Sequence, residues 1–214
     1  MQSAPRTILI TGFEPFGGEK VNASWEAARQ LEGWRCKDFV AVARLMPCAY
    51  ESSVKKLIQE IEALRPDAIL MTGQAARRGA VCVERFARNL DDANAPDNAG
   101  ALRTALRISR AAPEWLEATA RVGAIARAVK DAGIPARVSR NAGGFVCNHL
   151  YFRALEHLRG LDHPIPAVFL HLPATPEQTP AGASGKRMTP AKAADALRAA
   201  ATTMVDLLGS SAAA

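Results

Sequence analysis

Cys147 and His171 are the side chains of this sequence best suited to nucleophilic chemistry. Cys147 lies in the segment 141–149 (NAGGFVCNH), where a glycine-rich turn leads directly into an amphipathic helical pattern. A thiol at the start of a helix is shifted towards the thiolate, the form that attacks carbonyl carbons. His171 follows 24 residues later, at the end of the apolar, strand-like run 167–172. A cysteine and a histidine at the ends of two different elements are the minimum set for acyl transfer through a thiol.

Two predicted strands end in loops whose residues could contact a ligand. The loop after strand 7–11 carries Phe13 and Phe16, and the loop after strand 68–72 carries Gln74. Ligand sites in α/β proteins gather at the carboxyl ends of strands. From the sequence alone, the two phenylalanines are equally well explained by filling the core or by lining a site. The paired glycines of the first loop complete neither GxGxxG nor GxxxxGK[ST], so no phosphate-binding loop is expected.

Glu84 and His149 are two further ionisable side chains near these segments. Glu84 lies within the strand-like stretch 81–87, where a carboxylate is more often exposed than functional unless it faces a histidine. His149 lies two residues after Cys147, and residues i and i+2 of a helix point to different sides. We therefore expect His171, and not His149, to exchange a proton with the thiol.

Hydrophobic periodicity predicts alternating strands and helices along the whole chain. Strands are predicted over 7–11, 39–45, 68–72, 81–87, 136–139 and 167–172, and helices over 24–31, 50–64, 113–133, from Cys147 onwards and over 190–208. A polar loop is predicted over 179–188 and a frayed tail over 209–214. Strands separated by helices require crossover connections. We therefore expect an α/β fold, a single-domain three-layer α/β/α sandwich over residues 1–214 with a mostly parallel twisted sheet flanked by helices.

Composition and charge argue against several classes of function. With 214 residues, of which 49% are hydrophobic and 22% charged, the chain is typical of one globular domain. No apolar run approaches the roughly 20 residues of a membrane span, and the first residues lack a signal-segment pattern, so we expect a cytoplasmic protein without membrane contact. The net charge of +6 comes with no basic run longer than two residues and with only 6% aromatic residues, so we expect no nucleic-acid partner.

The four cysteines are spaced like neither a metal site nor a redox pair. None of them forms a CxxC pattern, so we expect no metal and, in a reducing compartment, mostly free thiols. Besides Cys147, the cysteines are expected to be bystanders, and they are Cys36, Cys48 and Cys82.

Several short motifs occur along nearly the whole chain. They are TGFEPFGG (11–18), NASWE (22–26), GQA (73–75), VER (83–85), PDN (96–98), FVCNHL (145–150), HLP (171–173) and PEQ (176–178). In these motifs, and in their order, the chain resembles the pyroglutamyl peptidase I family, also called the pyrrolidone carboxyl peptidases. An ordered set of motifs is far more specific than one cysteine and one histidine.

The resemblance implies a cysteine peptidase that removes an N-terminal pyroglutamyl (5-oxoprolyl) residue from peptides by thiol acyl transfer. The family's Cys-His-Glu triad falls on Cys147, His171 and Glu84. Its substrate-binding positions fall on Phe13, Phe16, Asn22, Gln74, Phe145 and Val146. The resemblance further implies that no cofactor is needed, that the partners are peptides with N-terminal pyroglutamate, and that the protein is a homo-oligomer such as a tetramer.

Asn94 is the departure from the family's motifs that bears most on catalysis. It takes the place of an arginine near the catalytic cysteine, and asparagine offers a hydrogen bond but no charge. We expect slower turnover as a result, unless Arg77 or Arg78 substitutes for the missing charge.

The other departures are substitutions of glycine and proline. Ala76 and Arg77 replace two glycines, and Ala23 and Val83 replace two prolines. Two further functions therefore stay open. One is a cysteine amidohydrolase of altered acyl specificity, and the other is a homologue that binds pyroglutamyl peptides without turnover.

Overall fold

The computed structural model of the protein describes residues 5–178 and 187–211. This part of the chain contains the helices α1 (Ala23–Ala28), α2 (Tyr50–Leu64), α3 (Val122–Asp131), α4 (Val146–Leu158) and α5 (Pro190–Ser211). It also contains the strands β1 (Arg6–Phe13), β2 (Arg35–Cys36), β3 (Phe39–Met46), β4 (Ala68–Gln74), β5 (Val81–Glu84), β6 (Phe86–Arg88), β7 (Trp115–Glu117), β8 (Ala136–Ser139) and β9 (Ala167–Leu172). None of the described helices is long and apolar enough to cross a membrane.

The main sheet has seven strands in the order β2-β3-β1-β4-β9-β5-β8. The central strands β3, β1, β4 and β9 run parallel to one another, whereas β5 runs antiparallel to β9 and parallel to β8. The short strand β2 is antiparallel to β3 at one edge. The predicted mostly parallel sheet is therefore confirmed, and the reversal at β5 places the end of that strand beside the body of β9.

Helices cover both faces of this sheet. On one face α1, α3 and α5 pack through buried side chains that include Ala27, Ile125 and Leu197. On the other face α2 and α4 pack through side chains that include Leu57 and Leu150. Because successive strand residues point to opposite faces, each buried strand supplies side chains to both cores. The predicted three-layer α/β/α arrangement is confirmed.

The start of α1 is set by Asn22, and the helix begins at Ala23, one residue before its predicted start at 24. Asn22 Oδ1 accepts the Ser24 backbone N–H at 3.0 Å and the Ser24 hydroxyl at 2.8 Å. The Ser24 hydroxyl oxygen in turn accepts the backbone N–H of Phe13 at 2.9 Å. These bonds satisfy helix-terminal donors and tie α1 to the end of β1.

Two sequence predictions are wrong in part. The helix predicted over 113–133 is helical only over Val122–Asp131, and Trp115–Glu117 is instead strand β7, which pairs with β6 in a separate ribbon. Residues in β7 alternate exposed, buried and exposed, as in a strand with one face on the core. The strand predicted over 81–87 is divided at Arg85, after which the chain leaves the main sheet.

The start of α5 agrees with its sequence pattern. Pro190 is the first helical residue, and Thr189 Oγ1 accepts the Lys192 backbone N–H at 3.3 Å. The helix continues to Ser211, so the first part of the tail predicted as frayed is helical. The loop predicted over 179–188 lies mostly outside the described residues.

Candidate active site

A pocket opens at the carboxyl ends of β1, β4 and β9, beside the first turn of α4. Ligands bind at this end of the strands in open α/β sheets. Both Cys147 and His171 line the pocket, and Glu84 lies directly behind His171. The full lining consists of Phe13, Phe16, Asn22, Cys48, Gln74, Ala75, Arg78, Ala142, Gly143, Gly144, Phe145, Cys147 and His171.

Glu84 and His171 form a buried pair on neighbouring antiparallel strands. In the register of β5 and β9, Cys82 pairs with His171 and Glu84 pairs with Phe169, so these side chains share one face of the sheet. The Glu84 carboxylate reaches diagonally across, and its Oε1 lies 2.9 Å from His171 Nδ1. Glu84 is fully buried, and His171 is only 4% exposed. With Nδ1 held by the carboxylate, Nε2 is the ring nitrogen left to act as a base.

Gly73 makes room for the sulfur of Cys147, the second residue of α4. A Cβ atom at Gly73 would lie 2.7 Å from Cys147 Sγ and 2.8 Å from Phe169 Cζ, closer than such atoms approach without displacement. Gly73 is also the residue of β4 that pairs with His171 on β9. The missing side chain therefore allows the thiol to lie against the strand beside the histidine.

Desolvation sets the protonation of Cys147 and His171. Burial raises the pKa of the Cys147 thiol well above its ordinary value of 9.0, and the nearby Cys48 and Glu84 raise it further. Burial also lowers the pKa of His171 below its ordinary value of 6.5, against the opposing effect of Glu84. Both shifts favour a pair made of a neutral thiol and a neutral imidazole. The shift for Cys147 is opposite to the one expected for a thiolate, because desolvation disfavours the charged form.

Phenylalanine side chains form the apolar wall of the pocket. Phe13 is buried and belongs both to the core and to the wall, while Phe16 is half-buried and its ring lies 5.8 Å from that of Phe145. Tyr50 packs edge-on against Phe145, also at 5.8 Å. Val146 differs from the other residues assigned to the pocket, because its side chain is fully buried in the core and is not part of the wall.

Asn22 and Gln74 provide polar wall groups whose orientation is fixed by the backbone. Gln74 Oε1 accepts the Ala23 backbone N–H at 2.7 Å, and Asn22 Nδ2 donates to the Glu14 carbonyl at 3.0 Å. Since Asn22 Oδ1 caps α1, the groups left for a ligand on both side chains are amide N–H donors. A proline at position 23 would have no N–H to donate, so alanine here gives Gln74 a partner within the protein.

Asn94 lies beside the pocket and not in it. It is exposed, and its side chain forms no hydrogen bond with the described residues. It lines a neighbouring depression that shares Phe16, Gly144 and Phe145 with the pocket wall. A longer side chain at this position could reach the pocket mouth, whereas asparagine does not line it.

Arg77 and Arg78 occupy different environments. Arg77 is exposed and forms no ion pair with the part of the chain that the structure describes. Arg78 lines the pocket, contacts Glu84 Oε1 and donates to the Asn141 carbonyl at 2.6 Å. Only Arg78 is therefore placed to influence the site, and it does so through Glu84.

His149 belongs to a second buried cluster that the sequence analysis missed. Its Nδ1 lies 2.8 Å from Asp91 Oδ2, and an Arg103 N–H donates to the same oxygen at 3.0 Å. Its ring also packs edge-on against Tyr50 at 5.3 Å. His149 is thus engaged by Asp91 and does not serve the thiol. Two successive polar residues after the cysteine, Asn148 and His149, were the available sequence signal, and the structure shows that both are buried.

Cys48 also lies closer to the site than expected, because it is part of the pocket wall. All four cysteines are free thiols, as expected.

Comparison with known proteins gives a consistent set of relatives. The sequence profile of the pyroglutamyl peptidase family matches residues 6–206. A pyrrolidone-carboxylate peptidase of Chromobacterium violaceum is 45% identical over 173 residues, which cover 81% of this chain and 80% of that protein. One from Escherichia fergusonii is 40% identical over 200 residues, covering 94% and 91%.

Solved structures show the same relationship. The pyroglutamyl peptidase I of Bacillus amyloliquefaciens has a TM-score of 0.90 at 35% identity, covering 94% of this chain and 97% of that one. The pyrrolidone carboxyl peptidase from Thermococcus litoralis has a TM-score of 0.92 at 30% identity, covering 96% of each chain.

Proposed function

The chain belongs to the pyroglutamyl peptidase family, cysteine hydrolases that remove N-terminal pyroglutamate from peptides. We propose that this chain carries out the hydrolysis with Cys147, His171 and Glu84. The observation that carries this assignment is the convergence of three elements on one pocket. A thiol on α4 and an imidazole on β9 line it, and a buried carboxylate on β5 holds the imidazole.

His171 acts first as a base, because the resting thiol is neutral. Its Nε2 takes the thiol proton while Cys147 Sγ attacks the pyroglutamyl carbonyl carbon. The C–N bond then breaks, and the imidazolium gives this proton to the departing amine. Water, deprotonated by His171, attacks the resulting thioester, pyroglutamate leaves, and the proton returns to the sulfur. Glu84 stabilises the imidazolium in each transfer.

The first turn of α4 supplies donors for the oxyanion of the tetrahedral intermediates. The N–H groups of the first turn of a helix have no acceptor within the helix, and Cys147 is its second residue. No side chain caps this helix, whose N-cap residue is Phe145. The positive end of the helix dipole lies at the same place. We assign the oxyanion to these backbone donors, including the N–H of Cys147 itself.

The pocket matches a flat, uncharged lactam ring. Phe13, Phe16 and Phe145 offer apolar surface, and the oriented amides of Asn22 and Gln74 offer N–H donors for the ring carbonyl. An ordinary N-terminal residue would bring an ammonium group into a wall that has no carboxylate among its described lining residues. Burying an unpaired charge there is unfavourable, so the site selects the neutral pyroglutamyl group.

A panel of fluorogenic amides tests the proposal against its two alternatives. We expect turnover of the pyroglutamyl amide and not of alanyl or glutamyl amides. Comparable turnover of an alanyl amide would indicate an amidohydrolase of altered specificity. Calorimetric binding of a pyroglutamyl peptide without turnover would indicate a binding homologue.

Cysteine variants test the nucleophile in the same assay. Cys147→Ser should lower kcat by at least about 10³-fold, because a hydroxyl is a poor nucleophile in a site built for a thiol. Cys36→Ser is the matched control, since Cys36 lies on the edge strand β2, and it should keep full activity. Iodoacetamide should inactivate the Cys36 variant and the unmodified enzyme alike. Wild-type turnover by Cys147→Ser would contradict the mechanism.

We also propose that the enzyme works in the cytoplasm as a homo-oligomer, with a tetramer as the expected size. A free nucleophilic thiol suits a reducing compartment. Leu102 and Leu106 are 58% and 50% exposed and offer apolar surface for association. Light scattering after size exclusion measures the assembly, and a monomer mass at micromolar concentration would contradict it.

A further inference from the structure

Arg78 connects three segments of the site behind His171. Its guanidinium contacts Glu84 Oε1 through Nη1, and the same nitrogen lies 3.3 Å from Ser139 Oγ. Its Nη2 donates to the Asn141 carbonyl at 2.6 Å. These partners lie on β5, at the end of β8 and in the loop that leads to Cys147. One planar, rigid group therefore joins the triad carboxylate to the loop that carries the nucleophile.

Glu84 depends on Arg78 for compensation of its charge. The carboxylate is fully buried, whereas the Arg78 side chain is 22% exposed. Arg78 and His171 share the single oxygen Oε1, and Oε2 has no partner in the described part of the chain. A buried carboxylate with only a neutral imidazole beside it would be strongly disfavoured as an anion.

We propose that Arg78 is a positioning residue of the reaction, which compensates the buried charge of Glu84, keeps a proton off His171 Nε2 and holds the loop before Cys147. The inference rests on the triad proposed above. This role differs from the expectation that Arg78 replaces the charge missing at Asn94. The guanidinium of Arg78 is directed at the Glu84 carboxylate and at the Asn141 carbonyl.

The electrostatic part of this role follows from the groups around His171. They are Glu84 and Cys82 on β5, Arg78 before β5, Cys147 on α4 and Cys48 after β3. Arg78 lowers the pKa of His171 and Glu84 raises it. Without the arginine, the Glu84–His171 pair should bind a proton at higher pH. Whether that proton sits on the imidazolium or on the carboxyl group hydrogen-bonded to Nδ1, Nε2 is protonated and cannot act as a base.

Arg78→Gln tests the electrostatic part, with Arg77→Gln as the matched control on the neighbouring exposed arginine. The readout is the pH profile of kcat/KM for a pyroglutamyl amide between about pH 5 and about pH 9. We expect the acid limb of Arg78→Gln to move up by about 0.5–1 pH unit, with the Arg77→Gln profile unchanged. A loss of melting temperature with an unmoved acid limb would mean a purely structural role and would overturn the proposal.

Arg78→Lys tests the geometric part and keeps the site charged if Arg78→Gln does not fold. A lysine retains the charge but cannot bond Glu84, Ser139 and the Asn141 carbonyl in one plane. Its acid limb should stay near that of the unmodified enzyme while kcat falls by about tenfold or more. Wild-type kcat in this variant would overturn the role in holding the loop.

Cys147→Ala, measured alongside, separates the two levels of inference. Peptidase activity in the Cys147→Ala variant would contradict the proposed triad itself. If Cys147→Ala is inactive while the Arg78 variants keep the kcat and the pH profile of the unmodified enzyme, only the proposed role of Arg78 is contradicted.

Discussion

At the scale of single residues, reactivity at this site depends on desolvation. The pocket wall around Cys147 raises the pKa of the thiol, and the same burial lowers the pKa of His171. A neutral pair binds an uncharged acyl group without first burying a thiolate and an imidazolium. In the proposed mechanism, charge develops only as the sulfur attacks, and Glu84 and the first turn of α4 can then stabilise that charge.

The lowered pKa of His171 predicts activity that persists into mildly acid solution. The base form is lost as pH falls through the pKa of the imidazole, which lies below 6.5, so the acid limb of kcat/KM should have its inflection below that value. A pH profile with a pyroglutamyl amide measures it. His163→Gln, a change at an exposed histidine, should leave the profile in place. An inflection above 6.5 would show that the resting imidazole is not desolvated as described.

Asn94→Arg should raise kcat/KM for a pyroglutamyl amide, by about tenfold at most. An arginine could reach over the shared Gly144 and Phe145 to the pocket mouth and add positive charge near the attacked carbonyl. The gain should be modest, because position 94 is exposed and water screens its charge. Asn94→Ala is the control and should match the unmodified enzyme. If both variants have unchanged kinetics, the position has no part in the chemistry.

At the scale of elements, the site exists because α4 approaches the sheet and its neighbouring loop without intervening side chains. At Gly73 a Cβ would meet the sulfur of Cys147. At Gly144 a Cβ would collide with the Asp92 carbonyl oxygen, and the Asp92 N–H donates to the Gly144 carbonyl at 2.8 Å. Both glycines therefore permit close approach, and both act on the turn that carries Cys147.

Gly73→Ala should reduce activity far more than stability. The added methyl group displaces Cys147 Sγ and the Phe169 ring, so the fold should survive at a cost of about 1–3 kcal/mol while kcat falls by about 10²-fold. Kinetics and urea unfolding measure the two effects. Gly123→Ala on α3 has open space around its new Cβ and should keep activity while stabilising the helix by up to about 1 kcal/mol. Full activity in Gly73→Ala would contradict the packing described here.

At the scale of the whole molecule, two buried ionic clusters join segments that are distant in the chain. The Glu84 cluster joins β5, β9 and the loops around them. The Asp91 cluster joins His149 of α4 to Arg103, which also contacts Glu51 and the ring of Tyr50 on α2. Through Tyr50 it supports Phe145, so the wall of the pocket is held by contacts outside it.

Asp91→Ala should destabilise the protein by about 3 kcal/mol, because it leaves Arg103 and the buried His149 without their shared carboxylate. Urea unfolding measures the loss. Glu51→Ala removes the other carboxylate on Arg103, but the Glu51 side chain is 81% exposed, so its loss should be under about 1 kcal/mol. Equal effects of the two substitutions would show that burial does not distinguish these ion pairs.

Much of the molecule could be predicted from local sequence. Apolar periodicity indicated α2 at its observed bounds and most of the strands, because one buried face requires regular spacing of apolar residues. The predicted start of α5 at 190 agrees with the structure, in which Pro190 is the first helical residue. The motifs around Cys147, His171 and Glu84 helped to indicate the family, because an ordered set of motifs is far more specific than single residues.

Only the tertiary structure decided which of these groups meet and in what state. The antiparallel direction of β5 brings Glu84 to His171, and no local pattern specifies the pairing of distant strands. Strand β7 is also decided by a distant partner, because its pairing with β6 makes a strand of residues predicted to be helical. The partner of Arg78, the position of Cys48 in the wall and the neutral state of the thiol all depend on which atoms exclude water from the pocket. Desolvation is a property of the packed interior, whereas sequence spacing describes only the chain that enters it.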